Sequence, residues 1–157
     1  MLAQGTTLIP YSSMAVTRIL TDTRHHWTVS LDGDGGAQLA KVGVKVANVP
    51  IYKHVRLQLG SSHLAAQRDS VMVAVSWTAV GGPPLFPSME GTLHADPYGS
   101  QSTRLTLNAR YDPPMGALGT LIDRVLMHRL AQSTMDDFVH RLAASLTDAL
   151  RRETEES

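Results

Sequence analysis

The sequence predicts an α+β protein in which an antiparallel β-sheet packs against one long helix near the carboxy terminus. Between residues 38 and 111, short segments alternate apolar and polar side chains, which is typical of antiparallel strands with one solvated face. From residue 112 to about residue 151, apolar residues recur instead at the three- and four-residue spacing of a helix. The connections between the strand segments are short, which favours hairpins over parallel crossovers. The sheet and the helix are therefore expected to bury each other's apolar faces.

The amino-terminal part of the chain predicts one strand followed by two short helices. Residues 5–11 are rich in β-branched side chains and are predicted to form the first strand. Either Ser12 or Ser13 can cap a short helix after it, because a serine hydroxyl accepts a hydrogen bond from the unpaired backbone N–H groups at a helix start. A second short helix is expected over residues 24–31, around Trp27.

A glycine-rich turn at residues 32–36 is followed by five further strand segments. These segments cover residues 38–48, 51–59, 71–80, 88–95 and 103–111. Their alternating apolar residues define the predicted inward face of the sheet, which contains Val42, Val44, Val46, Val55, Leu57, Leu59, Val71, Val73, Val75, Trp77, Met89, Gly91, Leu93, Ala95, Leu105, Leu107, Ala109 and Tyr111. Pro50 is expected to interrupt the ladder of backbone hydrogen bonds, because proline has no N–H to donate. Residues 61–63, Ser-Ser-His, are expected in a polar hairpin loop.

The predicted carboxy-terminal helix carries two apolar stripes. The first contains Leu118, Leu121, Ile122, Val125 and Leu126, and the second contains Met135, Phe138, Val139, Leu142, Leu146, Ala149 and Leu150. A polar patch separates the stripes and consists of His128, Arg129, Gln132, Ser133 and Thr134. The change of register across this patch predicts a bend, or a place where the helix borders something other than solid core. A helix of this length would measure roughly 50 Å, and residues 151–156 are expected to form its frayed, solvated end.

The composition predicts one globular domain spanning residues 1–157, with 43% apolar residues. Fourteen basic residues balance fourteen acidic ones, so no global field attracts nucleic acid. The absence of cysteine excludes disulfides and thiolate sites. Neither a signal-peptide pattern nor an apolar run of membrane-spanning length is present, so we expect a cytoplasmic protein without integral membrane association. A homodimer is compatible with this composition.

The order of these elements resembles the helix-grip fold of the START-like superfamily, also called SRPBCC, which includes birch pollen allergen-like proteins and polyketide cyclases. The resemblance is most specific where the last strand passes through Tyr-Asp-Pro-Pro at residues 111–114 and Gly-Ala-Leu-Gly at 116–119 into the long helix with Asp-Phe-Val at 137–139. Leu-Thr-Asp at residues 20–22 and Leu-Phe-Pro at residues 85–87 add to it. The arrangement is similar to that of bacterial members of the superfamily.

This resemblance implies a curved antiparallel sheet of about six strands wrapped around the long helix, with two short helices after the first strand and a cavity between sheet and long helix. Family members hold lipids, sterols, aromatic polyketides or hormones in this cavity, and some are enzymes. The candidate ligand-binding residues are therefore Val44, Val46, Leu57, Val75, Trp77, Phe86, Met89, Leu93, Leu107, Tyr111, Leu126, Leu130 and Phe138. Gly91 and Ala109, opposite the helix, could leave space for a ligand or could let the helix lie closer.

No pattern in the sequence indicates a catalytic centre, a metal site or a cofactor. No His-Glu-x-x-His segment is present, and His128 and His140 are about 120° apart around a helix. His54 and His94 fall on the polar faces of their strands. Lys53 falls on the side of apolar neighbours, where burial would lower its pKa. A lysine at a strand end that reaches water is the simpler interpretation.

The function that fits best is the binding or carrying of a hydrophobic small molecule, such as a lipid, a sterol-like compound or an aromatic polyketide, without catalysis. Trp77 and Tyr111 are the best candidates for contact with such a ligand, although both could simply fill the core. The alternative is a cyclase or aromatase acting on a polyketide-like substrate, for which Lys53, His128 and Tyr111 are the available ionisable groups. A third interpretation is a protein-interaction module with residues 83–87 as an apolar rim.

Overall fold

The computed structural model describes residues 2–22, 39–46, 49–64, 69–80, 88–112 and 124–157. Within these segments lie six strands and two helices. In chain order they are β1 (Leu2–Ile9), α1 (Ser13–Thr21), β2 (Leu39–Val46), β3 (Val49–Leu64), β4 (Val71–Ala79), β5 (Ser88–Pro97), β6 (Thr103–Asp112) and α2 (Arg124–Glu156). The second short helix expected over residues 24–31 and the turn at residues 32–36 lie outside the described residues.

The six strands form one antiparallel sheet in the order β1-β6-β5-β4-β3-β2. β1 and β2 are its two edges, and both of them contact α2. Because the edges are the strands farthest apart in the sheet, one helix can contact both only if the sheet curves around it. The predicted α+β architecture, a curved antiparallel sheet that grips a long carboxy-terminal helix, is therefore confirmed.

The first strand begins earlier than predicted, at Leu2, because residues 2–4 pair with residues 108–110 of β6. Gly5 therefore lies inside β1 rather than at its start. A Cβ atom on Gly5 would lie 2.9 Å from the backbone carbonyl oxygen of Met135 in α2. The absence of a side chain at this position is thus what lets α2 approach β1 so closely.

Helix α1 is capped by Ser12, whose hydroxyl accepts a hydrogen bond of 3.4 Å from the backbone N–H of Ala15. Its apolar side buries Val16, Ile19 and Leu20. α1 packs against β4, β5 and α2, so it closes one end of the space between sheet and long helix.

Strand β3 contains Pro50, and the interruption predicted there is wrong. Pro50 pairs in register with Lys45 of β2. β4 pairs with β3 from Val55 onward, so Pro50 lies in a part of β3 that has one neighbour among the described strands. The N–H that proline lacks is therefore not needed for a second ladder.

The hairpin loop predicted at residues 61–63 is also wrong, since β3 continues through these residues to Leu64. The pairing with β4 shifts between Leu59 and Ser62, where β3 has one more residue than its partner strand. Such a bulge bends a strand without ending it, which explains how the polar residues remain part of the sheet.

Helix α2 is continuous over 33 residues, about 50 Å. The second predicted stripe is confirmed: Met135, Phe138, Val139, Leu142, Leu146 and Leu150 are buried, and Ala149 is partly buried. The helix reaches Glu156, so the predicted fraying from residue 151 is wrong, although residues 151–157 are exposed. Its Glu153 forms an ion pair with Arg18 of α1. Neither described helix combines the length and the apolar character that a membrane span needs.

The first predicted stripe is wrong at Val125, which is 56% exposed. Val125 lies about two turns before Gln132, which hydrogen-bonds to Gln4 near the start of β1. This part of α2 therefore extends past the start of that strand. The stripe members Leu118, Leu121 and Ile122, and the side chain of Leu126, lie outside the described part of the chain.

Candidate ligand-binding site

One row of side chains crosses the inward face of the sheet from β3 to β6. Leu57 pairs with Trp77, and Trp77 pairs with Met89 on the next strand. Met89 pairs in turn with Tyr111. Residues directly opposite each other in antiparallel strands share one face, so these four side chains lie next to one another. All of them are buried, which places the row in the interior between sheet and helix.

The aromatic ring of Phe138 connects this row to α2. Its centroid lies 4.8 Å from that of Trp77, and the two ring planes are inclined by 63°. This edge-to-face geometry is the arrangement that aromatic pairs favour. Trp77 therefore reaches across the interior from the sheet to the helix, and three aromatic side chains (with Tyr111) lie at this end of the sheet.

The opposite end of the interior is aliphatic. There Val71 pairs with Ala95, and Ala95 pairs with Leu105. These residues, the buried side of α1 and the last turns of α2 belong to one apolar cluster. The last turns of α2, with the buried Leu146 and Leu150, lie beside α1, because Glu153 forms an ion pair with Arg18. The interior thus has an aliphatic half closed by α1 and an aromatic half at the other end.

Most of the predicted ligand-binding residues lie in this interior. Those that are buried are Leu57, Val75, Trp77, Met89, Leu93, Leu107, Tyr111 and Phe138. Leu130 is partly buried. Phe86 and the side chains of Val44, Val46 and Leu126 lie outside the described part of the chain. Contact of any of these residues with a ligand stays a prediction.

Gly91 and Ala109 have a role that neither sequence-based interpretation gave them. They are direct partners in the β5–β6 ladder. A Cβ on Gly91 would lie 2.8 Å from the Cβ of Ala109 and closer still to the carbonyl oxygen of Asn108. The small residues therefore permit a close approach of two strands. The close approach of the helix depends on Gly5, which the sequence reasoning missed, although a glycine within a β-branched segment is a usable signal for such a contact.

Lys53, His128 and Tyr111 are the three candidates for proton transfer. Of these, Tyr111 is the one that the structure places on the inward face of the sheet. Burial raises the pKa of its phenol above the ordinary value near 10, so the phenol is neutral at physiological pH. His128 is exposed on α2. The side chain of Lys53 lies outside the described part of the chain.

The histidines on the strands do not gather into a metal site. His54 is exposed and His94 is partly buried. Among the described residues, no group of three or more acidic or histidine side chains could hold a metal ion. The absence of a metal or a cofactor stays a prediction for the whole chain.

The polar patch of α2 borders the edge of the sheet. The backbone N–H of Gln4 donates to the side-chain oxygen of Gln132, and the amide nitrogen of Gln132 donates to the carbonyl oxygen of Gln4. Thr134 is buried, and its hydroxyl donates to the carbonyl oxygen of Leu130 at 2.8 Å. Of the two expectations for this patch, a bend or a border with something other than solid core, the structure shows the second.

An open groove of about 470 Å³ lies on this edge of the sheet. It is lined by Leu2, Ala3, Gln4, Asn108, Ala109, Arg110 and Gln132. Within it the side chains of Gln4 and Asn108 hydrogen-bond to each other at 2.8 Å. Because Gln4 and Asn108 are exposed and already bonded to each other, we place the candidate site in the aromatic half of the interior.

Comparison of the sequence with protein-family models and with curated protein sequences gives no match. Among solved structures, a protein from Thermus thermophilus aligns with 95% of this chain and 99% of its own, at 16% identity and a TM-score of 0.53. A conserved protein from Geobacillus kaustophilus aligns with 95% of this chain and 97% of its own, at 15% identity and a TM-score of 0.57. A START superfamily protein from Mycobacterium smegmatis aligns over 96% and 97%, at 12% identity and a TM-score of 0.47.

The topology defines the class of protein: a six-stranded antiparallel sheet curved around a long carboxy-terminal helix is the helix-grip fold. The first two structural matches share this arrangement over nearly their whole length. The resemblance to the START-like superfamily that the sequence indicated is therefore confirmed as a resemblance of fold.

Proposed function

We propose that this chain is a single domain that binds or carries a hydrophobic small molecule between its sheet and α2. The observation that carries the proposal is the buried aromatic row, in which Trp77 lies between Leu57 and Met89 and contacts Phe138 across the interior. A lipid, a sterol-like compound or an aromatic polyketide would suit this surface. The cytoplasmic location and the homodimer stay predictions.

Affinity would come from apolar surface removed from water, at about 25 cal/mol per Å². The aromatic half offers flat rings for this purpose, while one or two polar groups would fix the orientation of the ligand. The aliphatic half, closed by α1, would act as the rigid support that holds the row in place.

Native mass spectrometry of gently purified protein is the first test. The proposal expects a retained small molecule that is released on denaturation. A neutral fluorescent lipid, such as methyl 12-(9-anthroyloxy)stearate, should also show a saturable rise in emission that an unlabelled fatty acid methyl ester reverses. Absence of both a retained molecule and probe binding would contradict the proposal.

Two variants separate binding in the interior from adhesion to the surface. Phe138→Leu removes the ring that contacts Trp77 and should weaken probe binding several-fold. Met14→Ser removes an apolar side chain that is 81% exposed and should leave the affinity unchanged. Equal loss in both variants, or loss in Met14→Ser alone, would place the probe on the surface.

The cyclase or aromatase alternative needs at least two ionisable groups facing the ligand. With His128 exposed, Tyr111 is the nominee that supports this alternative among the described side chains. The interaction-module alternative depended on residues 83–87, which lie outside the described residues. For these reasons we place binding before catalysis or protein interaction.

A further inference from the structure

The side chain of Trp77 combines deep burial with a hydrogen-bond donor for which the described residues provide no acceptor. It is 2% exposed. Its indole N–H, which can only donate, has no oxygen or nitrogen acceptor among the residues that the structure describes. A buried donor without an acceptor costs about 1–3 kcal/mol, so such groups are rare in folded proteins. An acceptor from outside the chain would remove this cost.

The surroundings of Trp77 restrict what that acceptor can be. Its neighbours Leu57 and Met89 are apolar, and its ring contacts Phe138 edge to face. The face of the Phe138 ring could accept the N–H only weakly. A hydrogen bond to an oxygen atom would be stronger. An ionised oxygen would lose its hydration among these apolar side chains without gaining a counter-charge from them. A neutral oxygen keeps the hydrogen bond and avoids that cost.

We propose that the indole N–H of Trp77 orients the ligand, and that the ligand is a neutral molecule with a flat apolar body and a carbonyl oxygen. This inference rests on the proposed function and adds the chemical class of the ligand. The flat body would lie along the row that includes Met89 and Tyr111, and the carbonyl would accept the hydrogen bond from Trp77. Trp77 then acts as a specificity-determining residue.

Fluorene and 9-fluorenone test this proposal, because they share one tricyclic shape and differ by the carbonyl. The chain contains two tryptophans, so Trp27→Phe leaves Trp77 as the single indole. In this variant, the one indole cross-peak of a ¹H–¹⁵N spectrum should move downfield with fluorenone and not with fluorene. This measurement leaves Trp77 and its partners Leu57, Met89 and Phe138 unchanged.

A tryptophan analogue provides the matched control. In the Trp27→Phe background, incorporation of β-(3-benzothienyl)alanine replaces the N–H of residue 77 by sulfur and keeps the shape of the ring. The affinity ratio of fluorenone to fluorene, measured by calorimetry, should be about tenfold higher with the indole than with the analogue. Taking the ratio cancels the different hydrophobicity of the two compounds.

The outcomes distinguish the two proposals. Binding of both compounds with the same ratio in both proteins, or an indole proton that does not respond to fluorenone, overturns the assignment to Trp77 and leaves the binding function standing. Failure of both compounds to bind overturns this inference, and together with negative mass spectrometry and probe titration it overturns the binding function too.

Discussion

At the scale of single residues, two glycines make the curved interior sterically feasible. Gly5 lets the backbone of α2 approach β1, and Gly91 lets β5 and β6 approach each other. In both places the atom that an added Cβ would meet is backbone, which cannot rotate away as a side chain can. The packing of these elements therefore depends on the absence of side chains.

Gly5→Ala should lower the free energy of unfolding by about 1–3 kcal/mol, because the new methyl group would overlap the carbonyl oxygen of Met135. Urea unfolding monitored by circular dichroism measures the change. Thr6→Ala, at the next and exposed position of β1, is the control and should cost less than about 1 kcal/mol. Equal effects at both positions would show that the clash at Gly5 is relieved at little cost.

Tyr111 should make stability depend on pH above its ordinary pKa. Below pH 10 the phenol is protonated in both states. Above pH 10 the unfolded chain loses this proton while the buried phenol keeps it, because burial raises the pKa in the folded state. The free energy of unfolding should therefore fall as pH rises past 10 and through the folded-state pKa.

Urea unfolding of the wild type and of Tyr111→Phe between pH 8 and pH 11 isolates this effect, since the other tyrosines are shared. The wild type should lose more stability over this interval than the variant. Parallel curves for the two proteins would refute the contribution of Tyr111.

The inward faces of the strands could be predicted from the sequence because alternation is a local property. Trp77, Met89 and Tyr111 were assigned to one face in this way, and the structure places them in one row. The contact of Gly5 with Met135 could not be predicted, because it depends on where a helix from the far end of the chain is placed. Gly5 signals that some backbone comes close, but no local pattern identifies Met135 as the partner.

At the scale of elements, α2 both fills the interior and covers part of a sheet edge. The side chain of Gln132 bonds to the backbone N–H and the carbonyl oxygen of Gln4, as a neighbouring strand would. Free backbone groups at a sheet edge can pair with a second molecule. Gln132 thus satisfies two groups of the edge strand that would otherwise be available for such pairing.

Gln132→Ala should cost about 1 kcal/mol of stability and increase self-association, because it frees the backbone groups of Gln4. Sedimentation velocity over a range of concentrations measures the association, and urea unfolding measures the stability. Ser133→Ala, a change at the adjacent and partly buried position of α2, is the control. A sedimentation profile identical to that of the wild type would contradict the protective role.

Element types could be predicted better than element ends. The alternation of apolar and polar residues no longer indicates the strand at Ser61 and Ser62. β3 continues through these polar residues because a bulge shifts its pairing with β4. The interruption predicted at Pro50 was wrong for a related reason. A proline fits within a strand when no second strand lies on the side of its missing N–H. Both errors concern neighbours in space, which a single strand segment does not reveal.

At the scale of the whole molecule, the single apolar cluster of the interior has an aliphatic half and an aromatic half. α1 and the last turns of α2 enclose the first, and Trp77 with Phe138 spans the second. If the two halves are independent, damage to one should not change the other beyond its effect on stability.

Leu146→Ala, a change in the aliphatic half, should lower stability by about 2–5 kcal/mol because it leaves a cavity. It should leave the affinity for the fluorescent lipid within about twofold, because the folded variant keeps the aromatic row. Titrations below the unfolding midpoint measure the affinity, with Phe138→Leu as the comparison in the aromatic half. A large loss of affinity in Leu146→Ala would show that the two halves are coupled.

The pairing of β1 with β6 also determines when the sheet can close during synthesis. Gln4 and Asn108 hydrogen-bond to each other although they are 104 positions apart in the sequence. A ribosome must therefore release the sixth strand before the first one finds its partner, and α2 emerges after that strand. Such long-range pairing slows folding, often to milliseconds or longer. The nascent chain should accordingly stay open to chaperones until β6 has left the ribosome.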